Sequence, residues 1–163
     1  MPRRFLAREQ ILAILAATPA RVADLTAGLT AAQLRAAPWD GGWSLNDNLA
    51  HLRACADVWG NCIVAIITQD KPTLRAVNPR SWIKKTDYLE AEFQPSLYAF
   101  TQQRNGLLAV LDPLAPASWR RKATVTGAGK VLRRSVLFYA HWLARHERQH
   151  MKQIERMVDD LQS

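Results

Sequence analysis

The 163-residue chain contains no run approaching the ~20 consecutive apolar residues of a membrane-spanning helix. The apolar stretch from Ile63 to Ile67 is far too short, so no membrane association is expected. Cysteine is scarce as well, with only Cys55 and Cys62. Seven helical residues put their Cα atoms about 10 Å apart, beyond the ~7 Å reach of a bridge, and no intrachain disulfide is expected. At the N-terminus, Met1-Pro-Arg-Arg-Phe-Leu6 places basic residues before apolar ones, but Arg8, Glu9 and Gln10 interrupt the run that a secretory signal needs. The expectation is a cytoplasmic protein. Internal repeats, low-complexity tracts and domain-scale linkers are also missing. Residues 1–163 therefore read as one domain, for which 48% hydrophobic residues and six Trp supply a core.

Acids are few. The 14 Asp and Glu against 22 Lys and Arg leave a formal charge of +8. The imbalance is concentrated from Ala117 to Ser163, where ten basic residues face four acids. One reading is attraction to an anionic partner, either a nucleic acid or an acidic small molecule. The plainer one is a solvated helix face that keeps a basic protein soluble. No DNA-reading motif is present, so nucleic acid is the less favoured partner.

What is present is helical patterning. Phe5, Leu6, Ile11, Leu12 and Leu15 recur at helical spacing, and Thr18-Pro19 marks either a restart or a kink within one long helix. Thr30-Ala-Ala-Gln33 is a capping box for a short piece that ends at the turn Pro38 to Trp43. Ser44-Leu-Asn-Asp47 opens a second helix, expected to reach about Thr68, with His51 on the border of its apolar stripe. Pro72 to Thr86 reads as a long crossover. A third helical pattern begins near Asp87, passes Pro95 with a possible break, and ends before Pro113. Trp119 to Lys130 reads as a loop or short extended stretch, and a fourth helix is expected over roughly Leu132 to Leu161. Four main helices without a convincing strand pair predict an all-α four-helix bundle.

The fourth helix carries His146-Glu-Arg-Gln-His150, two imidazoles four residues apart. That spacing stacks both rings on one face about 6 Å apart along the axis, close enough to grip one ion. A catalytic metal usually takes three protein ligands and keeps a position open. His51 is the third candidate, and packing of the second helix on the fourth brings all three rings to one point. Each has a plainer reading: His51 as a half-buried histidine bonded to a carbonyl, His146 and His150 as a solvated pair. Their joint pattern favours a metal. His141 lies five residues before His146, pointing roughly 140° away, and is left out. Cys55 stands one turn beyond His51 and could approach the same ion, but reads first as a small packed core residue. Glu147 points about 100° away from His146, so no carboxylate is named as a base.

Gly42-Trp-Ser-Leu-Asn-Asp-Asn-Leu-Ala-His-Leu52, followed by His146-Glu-Arg-Gln-His-Met-Lys-Gln-Ile154, resembles the DinB-like (DinB/YfiT-like) superfamily of proposed metalloenzymes. The likeness spans almost the whole chain. It implies an up-down-down-up bundle, commonly a homodimer, with His51, His146 and His150 holding zinc, nickel, iron or manganese. It also implies a supporting role for Gln153, while Asn48 departs from the longer or acidic residue common among relatives. Some members use a low-molecular-weight thiol as co-substrate, which makes a thiol-dependent S-transferase acting on a small molecule the leading expectation. Arg120, Arg121 and Lys122 could attract the carboxylates of such a thiol. The alternatives are a metal-dependent hydrolase and a non-catalytic metal-binding stress-response or partner-binding module.

Overall fold

The computed structural model describes residues 4–163; Met1 to Arg3, the start of the basic N-terminal stretch, lie outside the described residues. Four long helices form the bundle: α1 (Arg8–Thr26), α3 (Leu45–Thr68), α5 (Phe93–Leu111) and α6 (Val136–Gln162). Two one-turn helices, α2 (Ala31–Arg35) and α4 (Pro79–Ile83), sit in the connections. Contacts across the bundle fix the helix directions. Arg21 pairs with Glu155 and Leu6 with His141, so α1 and α6 run parallel. Asn48 meets Met157 while Cys55 meets His146, so α3 and α6 run antiparallel. Arg53 bonds Ser96 and Gln103 bonds the Ala56 carbonyl, so α3 and α5 run parallel. The order is up-down-down-up, and the parallel α3 and α5 require the long crossover between them.

Local chemistry explains the helix ends. Ser44 Oγ accepts from Asp47 N and Asp47 Oδ2 accepts from Ser44 N, both at 3.0 Å, which starts α3 where the capping signal predicts. Thr30 and Gln33 make the same reciprocal pair for α2. α5 begins at Phe93, later than the Asp87 expected, and Pro95 falls in its first turn, where a missing N–H costs no intrahelical bond. α3 is long and apolar enough by composition to cross a bilayer. It packs instead against α4, α5 and α6 as a core helix.

The short extended stretch read within Trp119 to Lys130 is a strand, and, contrary to expectation, it has partners. β1 (Thr73–Arg75) pairs in parallel with β2 (Lys122–Thr126), which pairs antiparallel with β3 (Leu132–Ser135). Ala123 and Val125 on alternate positions of β2 are buried, as a half-buried strand requires. Leu132 to Ser135 thus belongs to a strand, and α6 starts only at Val136, with Ser135 Oγ accepting from Phe138 N at 3.0 Å. The pairing was hidden because β1 is three residues long and its partner lies about fifty residues away.

α1 runs unbroken through Pro19. Proline has no N–H to give to the carbonyl four residues earlier, so Leu15 O is released from the helix ladder. Arg104 Nη1 of α5 takes it at 2.8 Å. The same guanidinium makes a two-pronged pair with Glu147 of α6, Nη1 reaching Oε1 at 2.8 Å and Nη2 contacting Oε2. Arg104 and Glu147 are 1% and 0% exposed, so the pair is dry. It separates two apolar clusters, one around Ile11, Leu15, Ile63, Leu111 and Leu143, the other around Val22, Leu49, Phe100, Met151 and Ile154. Removing either partner leaves an unpaired buried charge, at a cost of about 3–5 kcal/mol. Urea unfolding of Arg104→Ala and Glu147→Ala should show that loss, and Arg104→Met combined with Glu147→Leu should lose less than either.

Candidate metal centre

The antiparallel contact of α3 with α6 brings His51 against His146 and His150. His51 Nε2 lies 3.1 Å from His146 Nε2, and the His150 ring centre is 4.9 Å from that of His51 and 4.3 Å from that of His146. Trp43 stands against His51 with ring centres 5.0 Å apart, and Trp59 meets His146 edge to face at 5.2 Å. Burial holds the rings neutral. The His51 imidazole is pushed down to about 4 by burial first, then by His150 and Arg80. His146 is pushed down to about 3 by burial, with His150 and His51 adding, and burial also lowers His150. Neutral imidazoles are the state that binds a cation.

Two residues join the histidines in this cluster: Cys55, which the sequence offered as able to approach the ion, and Asn48, which it did not offer as part of the site. Cys55 Sγ is 3.5 Å from His51 Nε2 and 3.9 Å from His146 Nε2, so the residue read as core packing stands among the imidazoles. The donor atoms of His51, Cys55 and His146 all lie within 4.8 Å of one another. Burial, with Glu147 adding, pushes the Cys55 thiol up to about 12. Asn48 is fully buried one turn before His51. Its Nδ2 donates to Ser44 O at 2.9 Å, which leaves Oδ1 to accept from His150 Nδ1 at 3.4 Å. The weak bond sets the tautomer, with the proton on Nδ1 and the lone pair on Nε2. In the sequence Asn48 stands out only as a departure from the family pattern; its place one turn before His51 on the same helix is the signal that points to the site.

The donor set fits a divalent ion. Two imidazole nitrogens at about 2.0–2.1 Å from a shared tetrahedral ion stand roughly 3.3 Å apart, close to the separation found between His51 and His146. The centre is reachable from two sides. A cavity of about 340 Å³ is lined by Trp43, Asp47, His51, Arg80, Ile83 and Leu89. Another of about 260 Å³ is lined by Trp142, Arg145, His146 and Gln149. The crossover that supplies Arg80 and Ile83 is tied to α3 through Asp57 Oδ2, which accepts from Trp82 Nε1 at 3.1 Å and from Tyr88 OH at 2.5 Å.

Other sequence candidates lie elsewhere or play other parts. Arg121 donates to the carbonyls of Ile67 and Gln69 at 3.0 and 2.7 Å, closing the C-terminal end of α3. That point is sixteen residues along the helix from His51, about 24 Å. Arg120 and Lys122 flank it, exposed, so the basic segment is not brought to the histidines. Glu147 is committed to Arg104. Gln153 is half-buried on α6 three residues beyond His150. His141 points away, accepting from Leu6 N at 3.0 Å.

Fold and site together define a helical-bundle protein with a histidine-rich metal-capable centre. The model of the DinB superfamily matches residues 14–154, and the chain belongs to that superfamily. It is 26% identical over 151 residues to a Geobacillus thermodenitrificans (strain NG80-2) protein named "Putative metal-dependent hydrolase", covering 89% of this chain and 83% of the relative. Its fold is similar to that of YfiT from Bacillus subtilis, described as a probable metal-dependent hydrolase with an unusual four-helix bundle topology. The TM-score is 0.81 at 18% identity, over 99% of this chain and 93% of that one.

The depressed imidazoles carry a pH signature. The unfolded chain takes up protons at the ordinary value of 6.5, whereas folded His51 does so only near 4. The folded state therefore binds fewer protons, and its stability, full above about 6.5, falls as pH drops through that window. Chelator-treated protein followed by urea unfolding between these values should show the decline, with a shallower slope for His51→Ala. Equal slopes would mean that burial does not exclude the proton from this ring.

Proposed function

We propose that this chain is a metal-dependent hydrolase of a small molecule, with His51, His146 and His150 holding a divalent ion. The observation that carries the reading is the convergence of neutral imidazoles from α3 and α6, with His51 Nε2 3.1 Å from His146 Nε2 between two open cavities. The names carried by the Geobacillus relative and by YfiT support hydrolysis rather than thiol transfer. The basic segment that favoured an acidic thiol stands at the other end of α3, about 24 Å along the helix from His51.

When bound, the ion supplies Lewis acidity and acidifies a coordinated nucleophile. The chain's own residues do the rest. Asn48 holds the His150 ring through Nδ1 and leaves Nε2 free to serve as a ligand. Trp43 and Trp59 cover His51 and His146 and keep bulk water from the ring faces. Arg80 and Arg145, one in each cavity wall, present positive charge to a substrate oxygen. Glu147, held by Arg104, takes no proton from substrate.

Elemental analysis of protein purified without added metal should find a stoichiometric divalent ion in the wild type and little in His51→Ala. Equal content in the two would remove the proposal. Turnover of a panel of small esters and amides should cease on chelation; turnover that survives complete metal removal would rule out metal-dependent hydrolysis. Asn48→Ala should bind metal about 10–100-fold more weakly by calorimetry, as expected when a contact that orients a ligand is lost. An unchanged affinity would mean that Asn48 serves α3 alone.

A further inference from the structure

We infer that Cys55 is a thiolate ligand of the same ion, making the centre a mixed imidazole and sulfur site. This rests on the metal-dependent reading above and adds a donor that the histidine motifs do not contain. Cys55 follows His51 by four residues on α3, so the sulfur and the ring share one face of that helix. Its Sγ has two imidazole nitrogens as hydrogen-bond partners, at 3.5 and 3.9 Å, and they come from two different helices. A thiolate about 2.3 Å and an imidazole about 2.0–2.1 Å from one tetrahedral ion stand roughly 3.5–3.6 Å apart, so these separations suit a common ion with little rearrangement.

The surroundings agree. Cys55 is 1% exposed and belongs to the larger apolar cluster, with the Glu147 carboxylate near enough to act on it. A bare thiolate there would lack both water and a cation. A divalent ion at the imidazoles supplies the missing charge, and a thiol that coordinates such an ion is deprotonated outright, its proton passing to solvent. Cys62, the other cysteine, lies two turns further along α3 and faces Tyr139, so the chain carries its own control.

A sulfur donor narrows the metal. Thiolate with imidazole suits zinc, whereas manganese prefers oxygen ligands, so manganese drops from the candidates that imidazole chemistry allows. With Cys55 the protein donors would fill a tetrahedral shell, so a substrate entering by either cavity would have to join as a fifth ligand or displace one donor.

Cobalt(II) spectroscopy of the full chain tests this without reference to activity. Wild type and Cys62→Ala should give visible ligand-field bands together with an intense near-ultraviolet sulfur-to-cobalt charge-transfer band. Cys55→Ala, and Cys55→Ser as the closer isostere, should lose the near-ultraviolet band. Zinc affinity in both should fall by more than the roughly 10–100-fold that loss of a merely supporting contact costs. Visible bands with no charge-transfer band in the wild type, or a band that survives Cys55→Ala, would overturn the sulfur ligand and leave the histidine centre standing. No cobalt bands at all in the wild type would overturn both readings. Circular dichroism confirms that each variant is folded before its spectrum is compared.

Discussion

A single carbonyl freed by Pro19 organises the middle of this bundle. Leu15 O has no N–H to receive within α1, and it faces the interior, where an unpaired acceptor is expensive. Arg104 satisfies it, Glu147 neutralises Arg104, and three helices are thereby tied at one level. Apolar packing alone is tolerant of small rotations of a helix about its axis. A two-pronged guanidinium to carboxylate pair is not, since both bonds demand one relative orientation. With Glu147 turned toward α1 and α5, the neighbouring His146 is carried about 100° round the helix toward α3. The aim of the histidines is set by an ion pair that does no chemistry itself.

The centre trades stability for readiness. Burying three imidazoles and a thiol beside one another, with few other partners, keeps the rings neutral and the thiol protonated. Such a cluster gains little from hydrogen bonds of its own, since its members mainly see each other. A cation held there would relieve them together, and its binding energy would then add to folding energy. The crossover contributes on the outer side. Asp57 gathers Trp82 and Tyr88 onto α3, which sets Arg80 and Ile83 over His51 and forms a wall of the larger cavity.

Much of this was legible in the chain. Ser44 and Asp47 mark the start of α3, and the two-histidine spacing on α6 needs only helix geometry to be understood. The pairing of α3 with α6 followed from the family likeness and from having His51 on the better capped helix. The three-stranded sheet was not legible, because strand pairing depends on partners distant in sequence and β1 offers three residues to read. Nor was the end use of the basic segment. Arg121 looks like any surface cation until the C-terminal carbonyls of α3 appear beside it. Asn48 and Cys55 carried a readable hint in lying one turn either side of His51, and only the approach of α6 shows what they touch.

The chain by itself determined the four main helical segments, the caps of α2 and α3, the helical face that each histidine occupies and the superfamily, all of which rest on interactions within a few residues or on patterns of residue type. Tertiary structure alone decided the pairing of Arg104 with Glu147, the sheet, the entry of Cys55 into the histidine cluster and the exclusion of the basic segment from it. Apart from the local β2–β3 hairpin, each of those is a contact between elements far apart along the chain. Spacing says where a side chain sits on its own helix, and only packing says what stands opposite.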